Sequence, residues 1–212
     1  IQDCIEYSGK RPMQWLLENL PVNERFHLVH STHLDDQELK QLAESKANVV
    51  LCPSTEGNLG DGIFRMKEYC QLGGRWSIGT DSHVGLNPLE EFRMIDYRQR
   101  LVTNKRNTFP KDGAKYMINE AVISGRGAMG IKSTDHFAVG QPLDALVIDG
   151  ASPLVSTASQ RNISATLVYT GDASNNLGTL VNGRWIVKGQ HHDDQSGINR
   201  DFATAINKIK AR

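Results

Sequence analysis

The amino-acid sequence predicts an α/β fold in which parallel strands alternate with helices, arranged as the C-terminal part of a (β/α)₈ barrel. Three short apolar segments, at 26–30, 48–52 and 76–80, are predicted as strands, and a helical pattern follows each. Polar residues collect directly after these segments, where a (β/α)₈ barrel carries its chemistry. No glycine-rich fingerprint opens the helices, which disfavours an open nucleotide-binding sheet. Only three of the eight barrel strands are found in the sequence.

The first half of the chain contains clear signals for helix ends. Proline favours the first turn of a helix, which predicts a helix over Pro12 to Leu20. After the first strand, Asp35 and Glu38 have the spacing of a capping box, so a helix is expected to start there. After the second strand, the segment PSTEGNLGDG (53–62) is predicted as a loop and 63–72 as a helix.

The second half of the chain changes from βα units to shorter strands. Asn87 is expected to cap a helix that extends to about residue 101, and apolar residues at helical spacing predict another helix over 114–125. Asn182 and Gly183 suit a type I′ turn between two strands. Further strands are expected at 145–149, 165–169 and 178–189, and a last helix at 199–210. We expect barrel structure over 1–135, a small β-sandwich module over 136–192 and a C-terminal helical tail over 193–212.

The composition excludes several classes of function. The 24 basic residues balance 24 acidic residues, so the chain lacks the positive charge expected of a protein that binds nucleic acid or anionic membranes. No apolar segment reaches the roughly 20 residues of a membrane span. Cys4, Cys52 and Cys70 match no zinc motif, which favours reduced thiols that pack in a cytoplasmic protein. A small-molecule substrate is the expected partner.

Asp81 is the first candidate for a chemical role, because it directly follows the third predicted strand. A carboxylate at the end of a buried parallel strand is partly desolvated and needs a cation or hydrogen-bond donors beside it. One interpretation is structural, with Asp81 capping a helix or pairing with an arginine. The other is that Asp81 binds Zn²⁺ and accepts a proton, since carboxylate oxygen is a suitable zinc ligand.

His30 ends the first predicted strand, two strands before Asp81 along the chain. An isolated histidine at a strand end is often only a structural hydrogen-bonding group. In a barrel, however, the carboxyl ends of strands separated by one neighbour converge on the axis. This geometry predicts that His30 and Asp81 face one water molecule as a catalytic pair.

Two further histidines follow these candidates at short distance. His33 lies three residues after His30 and either contacts the substrate or belongs only to the loop. His83 lies two residues after Asp81, and it either donates a hydrogen bond that braces the carboxylate or is solvated.

The glycine-rich segment STEGNLGDG (54–62) is a candidate substrate-binding loop. It lacks the lysine and hydroxyl residue of a phosphate-binding P-loop, so a phosphate site is disfavoured. Glu56 and Asn58 can place polar side chains near a ligand, which predicts that both contact the substrate. Alternatively, the glycines serve only a tight turn.

Four segments together resemble a known family. They are LVHSTH (28–33), LCPSTEGNLGDGIF (51–64), GTDSHVGLNPLEEFRMIDYRQRL (79–101) and VNGRWIVKGQ (181–190). The sequence resembles the amidohydrolase superfamily, and within it the hydrolytic deiminases that convert N-formimidoyl-L-glutamate to N-formyl-L-glutamate and ammonia in histidine degradation. The resemblance covers almost the whole chain from Cys4 onward.

This resemblance implies a cytoplasmic barrel enzyme with one Zn²⁺ per active site. Asp81 matches the aspartate after the eighth strand of the family, which binds the zinc and takes a proton from the attacking water. His30 matches the histidine after the sixth strand, which hydrogen-bonds that water without binding the metal. Relatives are commonly homodimers, so a homodimer is expected of the full-length enzyme.

Two motifs of the family do not occur in these 212 residues. They are a His-x-His after the first strand and a His-x-x-Glu after the fifth, which supply three zinc ligands and the acid for the leaving group. We therefore expect the chain to be an incomplete portion of a longer enzyme, inactive by itself. A guanine-type or cytosine-type deaminase, a chlorohydrolase and a non-catalytic fragment remain alternatives.

Overall fold

The structure is a computed structural model that describes residues 1–110, 112–135 and 137–211. The chain divides into two compact units. The first unit consists of Ile1–Thr134 together with Ser159–Thr170, and the second consists of Asp135–Ala158 together with the chain from Gly171 onward. Each unit is built around a sheet of its own.

A parallel three-stranded sheet organises the first unit. Its strands are β1 (His27–Val29), β2 (Asn48–Leu51) and β3 (Arg75–Ile78), in the order β1-β2-β3. Both neighbouring pairs are parallel, and Val49 of β2 is aligned with Leu28 on one side and Trp76 on the other. The predicted α/β class is confirmed, although the described residues do not form a complete barrel.

A helix follows each strand of the first unit, as predicted, although the helices at 2–8, 53–59 and 163–170 were not predicted. In chain order the helices are α1 (Gln2–Ser8), α2 (Pro12–Asn19), α3 (Asp36–Glu44), α4 (Pro53–Leu59), α5 (Met66–Gln71), α6 (Pro88–Thr103) and α7 (Gly113–Ala128). The short helix α8 (Pro153–Ser156) belongs to the second unit, and α9 (Ile163–Thr170) belongs again to the first. The predicted capping box opens α3: the Asp35 carboxylate accepts from the Glu38 amide, and the Glu38 carboxylate accepts from the Asp35 amide. The Asn87 side chain caps α6 by accepting from the Leu89 amide.

The core of the first unit fixes the positions of the strands. Trp76 on β3 and Met117 on α7 are fully buried, and α7 packs against β3. Leu42 of α3 and Val49 of β2 are also fully buried. Burying an apolar side chain of this size stabilises the fold by roughly 1.5–3 kcal/mol. The buried core therefore holds the carboxyl ends of the three strands in fixed positions.

An antiparallel sheet organises the second unit. Its strands are β4 (Ala145–Ile148), β5 (Asn176–Val181), β6 (Arg184–Lys188) and β7 (His191–His192), in chain order, and α10 (Gln195–Lys210) follows. Asn182 and Gly183 both have positive φ, at 50° and 74°, as the predicted type I′ turn requires. The described residues of this unit contain one four-stranded sheet, whereas a sandwich of two sheets was predicted.

The predicted strand at 165–169 is wrong, because these residues belong to α9. The apolar sequence ATLVY has no period that separates a buried strand from a buried helix. In the structure α9 packs against α6 and α7, Val168 is fully buried, and its carbonyl accepts a hydrogen bond from Nε of Arg93 at 2.7 Å. These contacts group Ser159–Thr170 with the first unit, within the range predicted as one β module.

Candidate active site

Three chemically reactive side chains meet beyond the carboxyl ends of the parallel strands. His30 follows β1, Cys52 follows β2, and Asp81 lies just after β3. One imidazole nitrogen, the thiol sulfur and one carboxylate oxygen of these residues lie within 4.8 Å of one another. Among the residues that the structure describes, no other group of three or more His, Cys, Asp or Glu side chains has this geometry.

His30 and Asp81, the predicted catalytic pair, are in direct contact. Nε2 of His30 lies 3.2 Å from Oδ2 of Asp81. The two side chains are 33% and 36% exposed, so water and a small ligand can reach both. The structure thus brings together the two residues on which the functional interpretation of the sequence depends.

The backbone is strained at both of these strand ends. His30, its neighbour Ser31 and Asp81 have φ values of 66°, 53° and 52°, in the left-handed region that non-glycine residues rarely adopt. This conformation costs roughly 1–2 kcal/mol per residue. Such strain concentrates at functional sites, where the surrounding structure holds a side chain in a required position. The sequence contains no signal that predicts these dihedral angles.

Cys52 is part of the cluster, although the sequence indicated only a packing role. Its side chain is buried, and Sγ lies against Gly79, where an added Cβ would be 3.3 Å from the sulfur. Burial, together with the nearby carboxylates of Glu56 and Asp81, raises the pKa of the Cys52 thiol to about 12. The thiol is therefore protonated at neutral pH. Its place directly after a strand was the signal that could have identified it.

Glu56 was predicted to contact the substrate from a loop, but it lies on the short helix α4 and is buried. Pro53 at the first position and Gly60 with φ of 72° after the last turn are the helix signals that the loop prediction overlooked. The Glu56 carboxylate accepts from the Cys52 amide at 2.8 Å and pairs with Nη1 of Arg98 at 2.9 Å. These partners leave it facing His30 rather than the solvent.

The loop that carries Asp81 is tied to α4 through Thr55. The buried Thr55 hydroxyl donates to the Thr80 carbonyl at 3.0 Å and accepts from the His83 amide at 3.1 Å. A single side chain thus anchors the backbone on both sides of Asp81. This contact restricts the position of the Asp81 carboxylate.

His83 has a different partner from the one that the sequence suggested. Its Nδ1 atom accepts a hydrogen bond from the Gly85 amide at 3.0 Å, which closes a tight turn in the loop after β3. The ring is half-buried. Through this turn and its amide contact with Thr55, His83 orders the loop rather than the carboxylate of Asp81 itself.

The remaining predicted contacts, His33 and Asn58, are both exposed. The His33 ring lies against Gly62, where an added Cβ would be 3.3 Å from two ring atoms. Beside it, the Thr32 hydroxyl donates to the Asp61 carbonyl at 2.6 Å. The loop after β1 and the loop after α4 are therefore in contact, and Asn58 lies on the last turn of α4. Whether these two side chains contact a substrate remains a prediction.

The donor set is compatible with a divalent ion such as Zn²⁺, which binds imidazole nitrogen, thiolate sulfur and carboxylate oxygen. Asp81 offers the accessible carboxylate, and His30 lies beside it. Cys52 is a poorer donor because its thiol must lose a proton before it binds a metal. The residues present therefore fit a zinc ion held by Asp81 with His30 as its neighbour.

The fold and the site define an α/β protein whose side chains at the carboxyl ends of its parallel strands fit a metal ion. The chain belongs to the amidohydrolase family, whose family model matches residues 12–186. It is 37% identical to a formimidoylglutamate deiminase from Pseudomonas aeruginosa over 213 residues, which covers 99% of the chain and 47% of that relative. The chain spans about half the length of the curated relatives it matches.

Solved structures agree with this assignment. An amidohydrolase from Brucella melitensis matches with a TM-score of 0.85 and 32% identity, over 99% of the chain and 46% of that protein. An adenosine deaminase from Xanthomonas campestris, solved with bound zinc, matches with a TM-score of 0.86 over 100% of the chain and 48% of that protein. Its 21% identity supports the fold alone.

None of the described helices is long and apolar enough to cross a membrane.

Proposed function

We propose that the protein containing this chain is a zinc-dependent hydrolase that converts N-formimidoyl-L-glutamate and water to N-formyl-L-glutamate and ammonia. This reaction belongs to histidine degradation in the cytoplasm. The 37% identity to a formimidoylglutamate deiminase, which extends over 99% of the chain, supports this substrate. The balanced charge of the chain agrees with a small-molecule substrate rather than a nucleic acid.

The contact between His30 and Asp81 is the observation that carries the proposal. An imidazole nitrogen 3.2 Å from a carboxylate oxygen, both partly exposed at the ends of parallel strands, places a hydrogen-bonding group and a proton acceptor side by side, where one water molecule can contact both. The strained backbone at both residues supports a functional role for the pair.

Each residue has a defined task in the proposed reaction. Zn²⁺ bound at Asp81 would supply Lewis-acid activation of water near neutral pH. The Asp81 carboxylate accepts a proton as the water attacks the formimidoyl carbon. His30 hydrogen-bonds the water through Nε2 and orients it. The proton then has to reach the departing nitrogen, because ammonia leaves only after that nitrogen is protonated.

Substrate recognition is assigned to the loops around the pair. We assign His33 and Asn58 to the rim of the substrate pocket, because both are exposed on loops or helix ends next to the strand ends. His83 shapes the same rim through its turn with Gly85. Substitution of a rim residue that raises KM and leaves kcat unchanged would separate substrate binding from catalysis.

A substrate panel tests the proposal. The protein expressed from its complete gene is assayed for ammonia release from N-formimidoyl-L-glutamate, guanine, cytosine and adenosine, and its zinc content is measured in parallel. We expect the highest kcat/KM on N-formimidoyl-L-glutamate and one zinc ion per active site. Turnover of a nucleobase or nucleoside with no turnover of N-formimidoyl-L-glutamate would contradict the substrate. Absence of both zinc and activity would favour a non-catalytic protein.

A further inference from the structure

The loop that carries Asp81 is exposed, yet its backbone adopts an unfavourable conformation. Thr80, Asp81 and Ser82 are all exposed, and Val84 is 93% exposed. Asp81 has a φ of 52°, in the left-handed region that non-glycine residues rarely adopt. An exposed loop relaxes from such a conformation unless a neighbouring element holds it there.

The Thr55 hydroxyl reaches this loop from helix α4 at two points. It donates to the Thr80 carbonyl at 3.0 Å and accepts from the His83 amide at 3.1 Å. These two backbone groups lie on either side of Asp81, one residue before it and two residues after it. A hydroxyl is both a donor and an acceptor, which allows one side chain to make both bonds. Thr55 is only 1% exposed, so its hydroxyl is shielded from competing water.

Helix α4 is itself tied to α6, which makes Thr55 a fixed support. The Ser54 amide donates to a carboxylate oxygen of the buried Glu91 at 2.9 Å. On the other side of Thr55, the Glu56 carboxylate pairs with Nη1 of Arg98 at 2.9 Å. Both neighbours of Thr55 in the chain are therefore anchored. A shift of the exposed loop has to break the hydrogen bonds of Thr55, because α4 is held in place.

We propose that Thr55 is a positioning residue whose hydroxyl holds Asp81 in the left-handed conformation and thereby sets how tightly the site binds zinc. The part that concerns zinc rests on the proposed function, in which Asp81 is the metal ligand. The part that concerns the backbone rests on the two hydrogen bonds and on the φ of Asp81. Thr55 acts through the loop, which differs from the substrate contact predicted for the segment 54–62.

The relative stability of glycine and alanine at position 81 tests the backbone part. Both substitutions remove the carboxylate, so the difference between them reports the conformation of the backbone. Glycine adopts positive φ without a steric penalty, but it loses more conformational entropy on folding than alanine. While Thr55 holds the left-handed conformation, Asp81→Gly is expected to unfold at a higher urea concentration than Asp81→Ala. Combination with Thr55→Val releases the loop, and Asp81→Ala is then expected to be at least as stable as Asp81→Gly.

These measurements use the protein from its complete gene after removal of zinc with a chelator. If glycine remained the more stable residue in the Thr55→Val background, the proposal would be overturned. Equal unfolding midpoints of Asp81→Gly and Asp81→Ala with Thr55 intact would overturn it as well. This second comparison changes nothing at Thr55, so it decides the question even where Thr55→Val folds poorly.

Metal affinity tests the part that concerns zinc. Replacing a residue that orients a metal ligand typically weakens metal binding 10- to 100-fold. The dissociation constant of Thr55→Val for zinc is therefore expected to rise about 10- to 100-fold, as measured by competition with a chelator of known affinity. Thr55→Ser keeps the hydroxyl and is expected to bind zinc as the wild type does. Equal zinc affinity of Thr55→Val and the wild type would contradict the proposed role, as would a Thr55→Ser variant as weak as Thr55→Val.

Thr32→Val is the matched control. The Thr32 hydroxyl donates to the Asp61 carbonyl at 2.6 Å and so joins the two other loops at this end of the sheet. The substitution makes the same chemical change, but the hydrogen bonds on either side of Asp81 stay intact. Zinc affinity and the higher stability of glycine at position 81 are expected to persist. If Thr32→Val weakened zinc binding as much as Thr55→Val, loss of any hydroxyl near the site would explain the effect and the proposal would fail.

Kinetics separate positioning from substrate binding. A displaced metal ligand impairs the activation of water, so kcat of Thr55→Val at saturating zinc is expected to fall, with a smaller change in KM. A rise in KM with unchanged kcat would instead show that Thr55 contacts the substrate, against the proposal. Zinc affinity and the stability comparison need no substrate, so failure of the proposed function and failure of this inference are distinguishable.

Discussion

Nε2 of His30 lies 3.2 Å from Oδ2 of Asp81, although strand β2 separates the strands that precede them. The short distance follows from the parallel sheet, which gathers the ends of all three strands at one edge, and from left-handed backbone at both residues. The pair is the centre of the functional account.

The first prediction separates the tasks of the two residues. Asp81→Asn is expected to lose most of its zinc, because an amide is a far weaker ligand than a carboxylate. His30→Asn is expected to keep its zinc and to lose about 10²- to 10⁴-fold in kcat, the usual effect of removing a general acid or base. Metal analysis and steady-state kinetics on the protein from its complete gene measure both. Zinc loss in His30→Asn would show that His30 is also a ligand.

The second prediction concerns the end of α3. Lys46 follows the helix with φ of 61°, a position where glycine is preferred. Lys46→Gly is expected to raise the free energy of unfolding by about 0.5–1 kcal/mol, since glycine adopts this conformation without a steric penalty. Asn104→Gly is the control, because Asn tolerates its φ of 53° after α6 and should change the free energy less. Urea denaturation measures both, and a destabilised Lys46→Gly would contradict the steric argument.

The third prediction concerns the second unit. A Cβ added at Gly178 of β5 would lie 2.1 Å from the carbonyl oxygen of Val187, which is backbone and cannot move aside cheaply. Gly178→Ala is therefore expected to destabilise the sheet by about 1–3 kcal/mol. Gly150→Ala, where no atom lies within 4 Å of the added Cβ, is expected to stay within about 0.5 kcal/mol of the wild type. Equal thermal stability of the two variants would refute the prediction.

The fourth prediction concerns thiol reactivity. Burial raises the pKa of Cys70 from 9.0 to about 11. At pH 8 the thiolate of the folded protein is then about 100-fold scarcer than that of the unfolded chain, and iodoacetamide should modify Cys70 correspondingly slowly. Because the folded pKa is raised, the contribution of this group to stability is present below about pH 9 and is lost as the pH rises toward 11. Mass spectrometry of the alkylated peptide, with and without urea, measures the ratio, and equal rates would exclude a buried neutral thiol.

Local sequence signals predicted the elements whose ends are set by neighbouring residues. Asp35 and Glu38 satisfy each other's backbone amides within one turn, so their spacing alone revealed the start of α3. Asn182 and Gly183 determine their turn by backbone preference in the same way. The strand prediction for 165–169 was wrong because the conformation of this segment depends on packing against α6 and α7, which lie far away in the sequence.

The candidate site was predicted in part for the same reason. Asp81 and His30 follow strands directly, so the position of each was visible in the pattern of apolar segments. Arg98 was missed because its 2.9 Å contact with Glu56 joins two helices that are far apart in the sequence. No periodicity or motif reports a contact between residues on separate elements, nor the positive φ at the strand ends.

The most direct test of the central claim is anomalous X-ray diffraction at the zinc edge from crystals of the protein expressed from its complete gene. We expect one anomalous peak about 2.0–2.2 Å from a carboxylate oxygen of Asp81, with His30 close by but outside the coordination sphere. Crystals grown with zinc that show no anomalous peak at Asp81, or a peak only at other residues, would contradict it.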